Sequence, residues 1–202
     1  ANAEVARRLT PDVSVSGSYQ IQRTQVFNSN IDPTGQLLVD RLFPEVRLSS
    51  FTSSAIYDTR NDPVDPGRGE YASLSAQLAA RRIGSQVGFA KTFMTAQVFR
   101  TPPRSNRLVV AGSARLGLAN VFAVDSLPAS ERFFAGGDTT VRGYALDTLA
   151  TSQTKDQKGF SKGGNALVIF NAEARVPVWG GVGLVGFVDT GNVFARATEI
   201  DL

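Results

Sequence analysis

The sequence contains neither cysteine nor histidine. Without thiols there is no disulfide framework and no thiolate metal site. Without imidazole, ordinary zinc sites and Ser-His-Asp chemistry are excluded. Charge is scarce too: Asp, Glu, Lys and Arg make up 19% of 202 residues, against about 25% in an ordinary globular domain. A transmembrane helix needs about 18 consecutive apolar residues, and Ser, Thr, Gln, Asn or Arg interrupts every hydrophobic segment before that length. There is no signal peptide, and the chain starts at Ala1, as a fragment or a processed chain would.

What is present is apolar surface in need of cover: 42% of residues are hydrophobic, with 13 Phe and 19 Gly. With no spanning helix, a membrane reading has to be a β-barrel. The formal net charge is +3, but Lys and Arg are spread along the chain without a basic helix or cluster, which argues against nucleic acid as a partner.

From Asp12 onward the chain reads as strand-length segments with alternating polarity, and no segment reads as an amphipathic helix. Seven strands are predicted, at 12–25, 46–60, 69–82, 86–100, 107–119, 165–176 and 182–194. Most exceed the five or six residues usual in soluble sheets and suit a tilted bilayer crossing. In the third, Ala72, Leu74, Ala76, Leu78 and Ala80 share one face, and Ser73, Ser75, Gln77 and Arg81 share the other. The fifth and sixth repeat the pattern, with Ser113, Arg115, Asn171, Glu173 and Arg175 on the polar side. Alternation alone leaves two architectures open, a soluble sandwich with its apolar face inward or a membrane barrel with that face toward lipid.

The links are asymmetric. Short ones at 61–68, 101–106 and 177–181 alternate with long ones at 26–45 and 120–164, and the link at 83–85 is the single short member of the second set. Outer-membrane barrels have short periplasmic turns and longer external loops. Pro63, Pro66, Pro102, Pro103 and Pro177 all lie in the short links, where turns accept them. Trp179, the only tryptophan, is then expected at the periplasmic interface.

The specific signal lies in the link 120–164: Glu131-Arg132-Phe133-Phe134-Ala135-Gly136-Gly137-Asp138, followed by Val141-Arg142-Gly143-Tyr144. This resembles the lumen-entering loop of the outer-membrane protein assembly and translocation superfamily, which includes the central barrel of the BAM complex, TamA, the translocators of two-partner secretion and bacterial surface antigens. Two further stretches match in order. Asn171-Ala172-Glu173-Ala174-Arg175-Val176-Pro177 resembles the family's strand motif with Glu and Arg two apart, and Phe187-Val188-Asp189-Thr190-Gly191-Asn192-Val193-Phe194 resembles its Phe-x-Asp-x-Gly-x-Val strand. A weaker match, Asp58-Thr59-Arg60-Asn61-Asp62-Pro63 with Pro66 and Gly67, looks like its periplasmic turn.

The resemblance implies an all-β fold, a transmembrane antiparallel β-barrel of the outer membrane. Here residues 1–202 would form an incomplete barrel domain of about seven strands, with loop 120–164 inside the lumen. The closing strands expected after Phe194 and the upstream periplasmic repeats of the family are missing. It implies a non-enzymatic machine part that inserts or translocates proteins and needs no cofactor. Its partners would be outer-membrane lipid, unfolded outer-membrane or secreted proteins, and periplasmic or lipoprotein accessory subunits. The alternatives are a two-partner-secretion translocator, a passive pore or surface antigen, and the export anchor of a fused patatin-like enzyme. A Gly-x-Ser-x-Gly elbow would mark the last, and none is present.

Period-two counting puts Asn171, Glu173 and Arg175 on one face, and Phe187, Asp189 and Gly191 on one face of the next strand. If those faces line the lumen, Arg142 at the loop tip is the counter-charge, its planar fork suited to carboxylates and its neighbour Gly143 expected to allow close backbone approach. Pairing of Arg142 with Asp189, Glu173 or both is therefore expected.

Plainer readings compete at each motif. Gly136-Gly137-Asp138-Thr139-Thr140 lacks the Lys-Ser/Thr step of a phosphate loop, and Asp62, Asp65 and Glu70 among prolines read as a turn rather than a calcium site. Glu173 and Asp189 read as a salt-bridged pair rather than glycosidase carboxylates. Phe133 and Phe134 are expected to anchor the loop rather than bind a ligand. The stretch 153–163, rich in Lys, is expected to be a solvated external insertion.

Overall fold

A computed structural model describes residues 1–23, 46–103, 105, 107–122 and 127–201. The predicted link 26–45 and parts of the links 101–106 and 120–164 lie outside the described residues. The described chain forms one antiparallel sheet of eight strands in sequential order. They are β1 (Asn2–Arg8), β2 (Val13–Arg23), β3 (Arg47–Asp58), β4 (Gly69–Ala79), β5 (Phe89–Arg100), β6 (Val109–Val121), β7 (Ala166–Trp179) and β8 (Val182–Phe194). Among the described residues the only helical elements are three single 3₁₀ turns.

The seven predicted strands appear as β2 to β8, and β1 is additional. Its sequence, NAEVARR, contains a single strong strand former, Val5, and three charges, so local preference does not mark it. Pairing does: every residue from Asn2 to Arg8 faces one of β2. With β1 in place, residues 9–12 become a further short turn on the side of 59–68 and 101–108. The predicted link 177–181 contracts to Gly180-Gly181, whose φ values of 54° and 86° suit a two-residue hairpin turn. Pro177 instead lies inside β7 at a register shift, where a strand tolerates proline. Trp179 ends β7 and is 84% exposed.

Register decides which side chains share a face. One row across the sheet reads Ala55, Leu74, Met94, Leu116 and Val168, and the adjacent row on the opposite face reads Ile56, Ser73, Thr95, Arg115 and Ile169. β2 puts Ser14, Ser16, Ser18 and Gln20 on the polar face and Val13, Val15, Tyr19 and Ile21 on the apolar one. The apolar face is open over its middle, with Leu74, Leu78, Met94 and Phe170 all exposed. The polar face carries two of the three packed clusters. There Phe133, Ala135, Val141 and Leu149 of the β6–β7 loop meet Leu167, Ile169 and Val193. Beside them Ala79, Val87, Phe89 and Leu127 form a second cluster.

A soluble sandwich would cover its apolar face with a second sheet. Here the mixed face is covered by loop, and the apolar face is open except at one corner, where Ala166, Val168 and Phe194 pack with Leu116, Leu118 and Ile200, the arrangement of a membrane barrel with a polar interior. Outward charges obey the same rule: Glu70 and Arg100 sit at strand ends and pair with each other. The sheet is not closed, so the chain is an incomplete barrel with β1 and β8 as the edges of the described sheet.

Arginine at the outward mid-strand position of Leu74 is expected to destabilise the barrel by about 2–4 kcal/mol, as a cation at the bilayer midplane does. Arginine at inward Ser54 of β3 is expected to cost less than about 1 kcal/mol, within the range of ordinary surface substitutions. Denaturant-induced unfolding in lipid vesicles measures both, and equal effects would contradict the face assignment.

Candidate functional site

The site is built where the β6–β7 loop turns back over the inner face. Phe133 N–H donates to Gly164 O at 2.8 Å and Gly164 N–H returns a bond to Phe133 O at 3.0 Å. Leu149 N–H then donates to Ala135 O at 2.9 Å. Between these pairings the chain makes a tight excursion, with Gly137 N–H to Tyr144 O at 3.0 Å and Gly136 N–H to Thr140 Oγ1 at 2.8 Å. Gly136 has φ of 114°, and a Cβ there would lie 2.3 Å from Ala145 O. Only glycine fits this position.

The excursion presents Arg142 to the inner faces of β7 and β8. Its Nε and Nη2 donate to Asp189 Oδ2 and Oδ1, both at 2.7 Å, in a bidentate fork. Its backbone N–H adds a third bond to Oδ2 at 3.0 Å. Nη1 donates to Glu173 Oε2 at 3.1 Å, and the guanidinium carbon sits 3.6 Å from the centroid of the Phe187 ring, a cation–π contact. Asn171 Nδ2 donates to both Asp189 Oδ1 at 2.9 Å and Thr140 O at 2.7 Å. Arg115 of β6 also donates to Thr139 O. The Asp189 side chain is only 2% exposed, so a buried carboxylate is held by four donors from the loop and β7.

The structure thus brings Val141, Arg142, Asn171, Glu173, Phe187 and Asp189 into one cluster. Gly191 works through its backbone: with φ of 145°, a Cβ would lie 2.2 Å from Val168 O across the β7–β8 pair. The reason expected for Gly143 needs correction, because a Cβ there meets nothing within 4 Å, and what requires glycine is a φ of 91°. Tyr144 contributes its carbonyl, while its side chain is 54% exposed.

Hydrophobic anchors lie beside the cluster. Phe133 is buried and stacks on Phe93 at 6.0 Å between centroids. It occupies space that only Gly117 leaves, since a Cβ on Gly117 would come within 2.7 Å of its ring. The Phe134 ring fills the equivalent space over Gly163. Lys91 lies 5.1 Å from the Phe133 ring centroid and pairs with Glu131 at 3.2 Å. Arg132 donates to the carbonyls of Leu127 and Lys162 at 2.9 and 3.1 Å, and burial lowers its pKa. The stretch 153–163 is not wholly solvated, contrary to its composition: Thr154 is 1% exposed and its hydroxyl donates to Val193 O at 3.2 Å.

At the other end of the barrel, turn 59–68 is internally tied. Asn61 Oδ1 accepts from Gly67 and Arg68 N–H. Asp62 Oδ1 accepts from Val64 and Asp65 N–H, bonds that hold its carboxyl below the usual carboxylate range. Arg60 forks onto Asp58. The three carboxylates of the calcium alternative are thus separately engaged, Asp62 within the turn, Asp65 with Arg175 and Glu70 with Arg100.

Strand sheet and loop together define an outer-membrane type of β-barrel whose external loop is held on its inner wall. Residues 1–201 match the Omp85 superfamily domain, and the chain belongs to that family. It is 26% identical to a SAM50-like protein of Schizosaccharomyces pombe over 149 residues, 70% of this chain and 30% of that protein. It also resembles the crystal structure of BamA from Haemophilus ducreyi lacking POTRA domains 1–3, with a TM-score of 0.70 and 18% identity, over 96% of this chain and 41% of that one. The chain therefore spans less than half the length of either, and the second likeness is one of fold. Family membership places the chain in the outer membrane.

Two substitutions probe the site. Arg142→Ala leaves Asp189 buried without its fork and is expected to cost about 3 kcal/mol, the low end for a broken buried pair, because the arginine itself retains 23% exposure. The readout is tryptic cleavage after Lys155, Lys158 or Lys162, which should accelerate; an unchanged digestion rate would contradict it. Gly117→Val should displace Phe133 and accelerate the same cleavage while leaving Arg142 chemically intact.

Proposed function

We propose that this chain is the barrel part of a machine that inserts proteins into the outer membrane or passes them across it, with the loop 120–164 clasped to the inner wall by Arg142. The observation that carries this reading is the buried Asp189 carboxylate, gripped by the Arg142 fork in a barrel of the Omp85 family. A machine that must open and reclose around a substrate needs its internal loop in a defined place, and the bidentate Arg142–Asp189 pair gives it one. Asn171, Glu173 and Phe187 support the clasp, Val141 seats the loop in the core, and Arg132, Phe133 and Phe134 anchor its root.

On this reading the role of the cluster is mechanical, its carboxylates and guanidinium holding the loop to the wall. The substrates are unfolded outer-membrane or exported proteins, which present unpaired strand edges that a barrel can accept. Accessory periplasmic or lipoprotein subunits would deliver them. Depletion of the protein followed by quantification of the outer-membrane proteome tests the reading. A general loss of mature barrel proteins, reversed by the wild type and poorly by Arg142→Ala, is expected for assembly. Accumulation of one exported protein in the periplasm with normal barrel levels identifies secretion, and no change in either overturns the proposal.

A further inference from the structure

The cluster around Arg142 does not end at Glu173. That carboxylate is shared: Oε2 accepts from Arg142 at 3.1 Å, and Oε1 lies 3.3 Å from Nε of Arg175. Arg175 in turn donates from Nη1 to Asp65 Oδ1 at 2.6 Å and from Nη2 to Pro66 O at 2.7 Å, with its guanidinium 5.7 Å from the Phe99 ring centroid. Asp65 and Pro66 belong to the turn joining β3 to β4, whereas Arg175 is on β7, so the contact spans β5 and β6 inside the barrel. Charges therefore alternate without a break from the turn to the loop, in the order Asp65, Arg175, Glu173, Arg142, Asp189.

We infer that Arg175 is a positioning residue that couples the 59–68 turn to the loop clasp, by orienting the Glu173 carboxylate toward Arg142 while holding the turn against the inner wall. The inference rests on the clasp reading above. Its physical basis is orientation: the turn holds Arg175 through Nη1 and Nη2, and the guanidinium fixed there, with Nε 3.3 Å from Oε1 but no hydrogen bond to it, attracts one oxygen of Glu173 and leaves Oε2 facing Arg142. Release of the turn frees the whole fork to rotate onto Glu173 and draw it from Arg142. Val64 at the turn tip is 93% exposed, so a partner on that side of the membrane can pull the turn without entering the barrel. Coupling of this kind is reciprocal, and loosening the loop must loosen the turn.

The absence of native cysteine allows a single nitroxide label at Tyr144→Cys or Val64→Cys in the full protein, reconstituted in phospholipid vesicles. Arg175→Met is expected to raise the mobile-to-immobile ratio at position 144 by about fivefold, the low end of site-to-site couplings. Asp65→Asn, at a side chain 85% exposed and so no threat to folding, should act in the same direction. Neither should add to the mobility already produced by Arg142→Ala, and Arg142→Ala should mobilise the label at position 64. If Arg142→Ala frees position 144 but Arg175→Met and Asp65→Asn leave it immobile, or add to it in full, the coupling is wrong and the clasp stands. If Arg142→Ala itself leaves position 144 immobile, the clasp fails and the coupling with it.

Discussion

A carboxylate buried on the wall of a barrel is the constraint around which the remainder is arranged. Asp189 is almost fully shielded, and an ionised group in that setting is tolerated only when its lone pairs are filled by donors. The donors come from a loop that leaves the barrel after β6 and must return to reach it. Everything local to the loop follows from that demand. Positive-φ glycines at 136, 137 and 143 make the excursion tight. Gly117 clears room for Phe133, and Asn171 ties Thr140 O to the same carboxylate.

The location of the packed core reinforces this. In a soluble protein the apolar face of the sheet would be the inside, and here it is the outside. The interior is therefore too polar to fold on hydrophobic burial alone, and its buried apolar groups are confined to patches, the one beneath the loop made of Phe133, Ala135, Val141 and Leu149 against β7 and β8 and a second of Ala79, Val87, Phe89 and Leu127. Loop and wall are mutually dependent: apolar contacts give the loop its footing, while the Arg142 fork fixes its register. An ion pair is a weak source of net stability compared with an apolar replacement, and a strong source of geometric definition. Definition is what a loop tethered only at its two ends lacks.

Much of the fold was legible because period-two alternation and turn residues are local signals. β4 shows it best, with Ala72, Leu74, Ala76 and Leu78 outward and Ser73, Ser75 and Gln77 inward. β1 was hidden because its residues have no strong preference and are ordered by pairing with β2. Which face is wet could not be read from alternation, since a sandwich and a barrel share it; the loop packed on the charged face decides it. Within the site, counting by twos put Glu173 on one face of its strand and Asp189 on one face of the next, because side-chain direction in a strand is fixed by the backbone; that both faces point inward needed the structure, in which Asp189 stands opposite Asn171 and Glu173 opposite Phe187. Contacts made across the lumen left no such trace: Arg175 to Asp65 joins residues 110 apart in sequence, and nothing in either segment names the other. Gly117 did leave a trace, a glycine in a strand interior, whose meaning needed the Phe133 ring.

The cluster and the loop also hold the last described strand. Asp189 lies on β8, which pairs with β7 on one side and is an edge of the described sheet on the other. The loop grips the same strand twice, through Arg142 on Asp189 and through the Thr154 hydroxyl on Val193 O. It thereby steadies β8 through one side-chain carboxylate and one backbone carbonyl. With β7 pairing it along one edge and the loop holding it at two further points, β8 is positioned by residues 39 and 47 places earlier in the sequence.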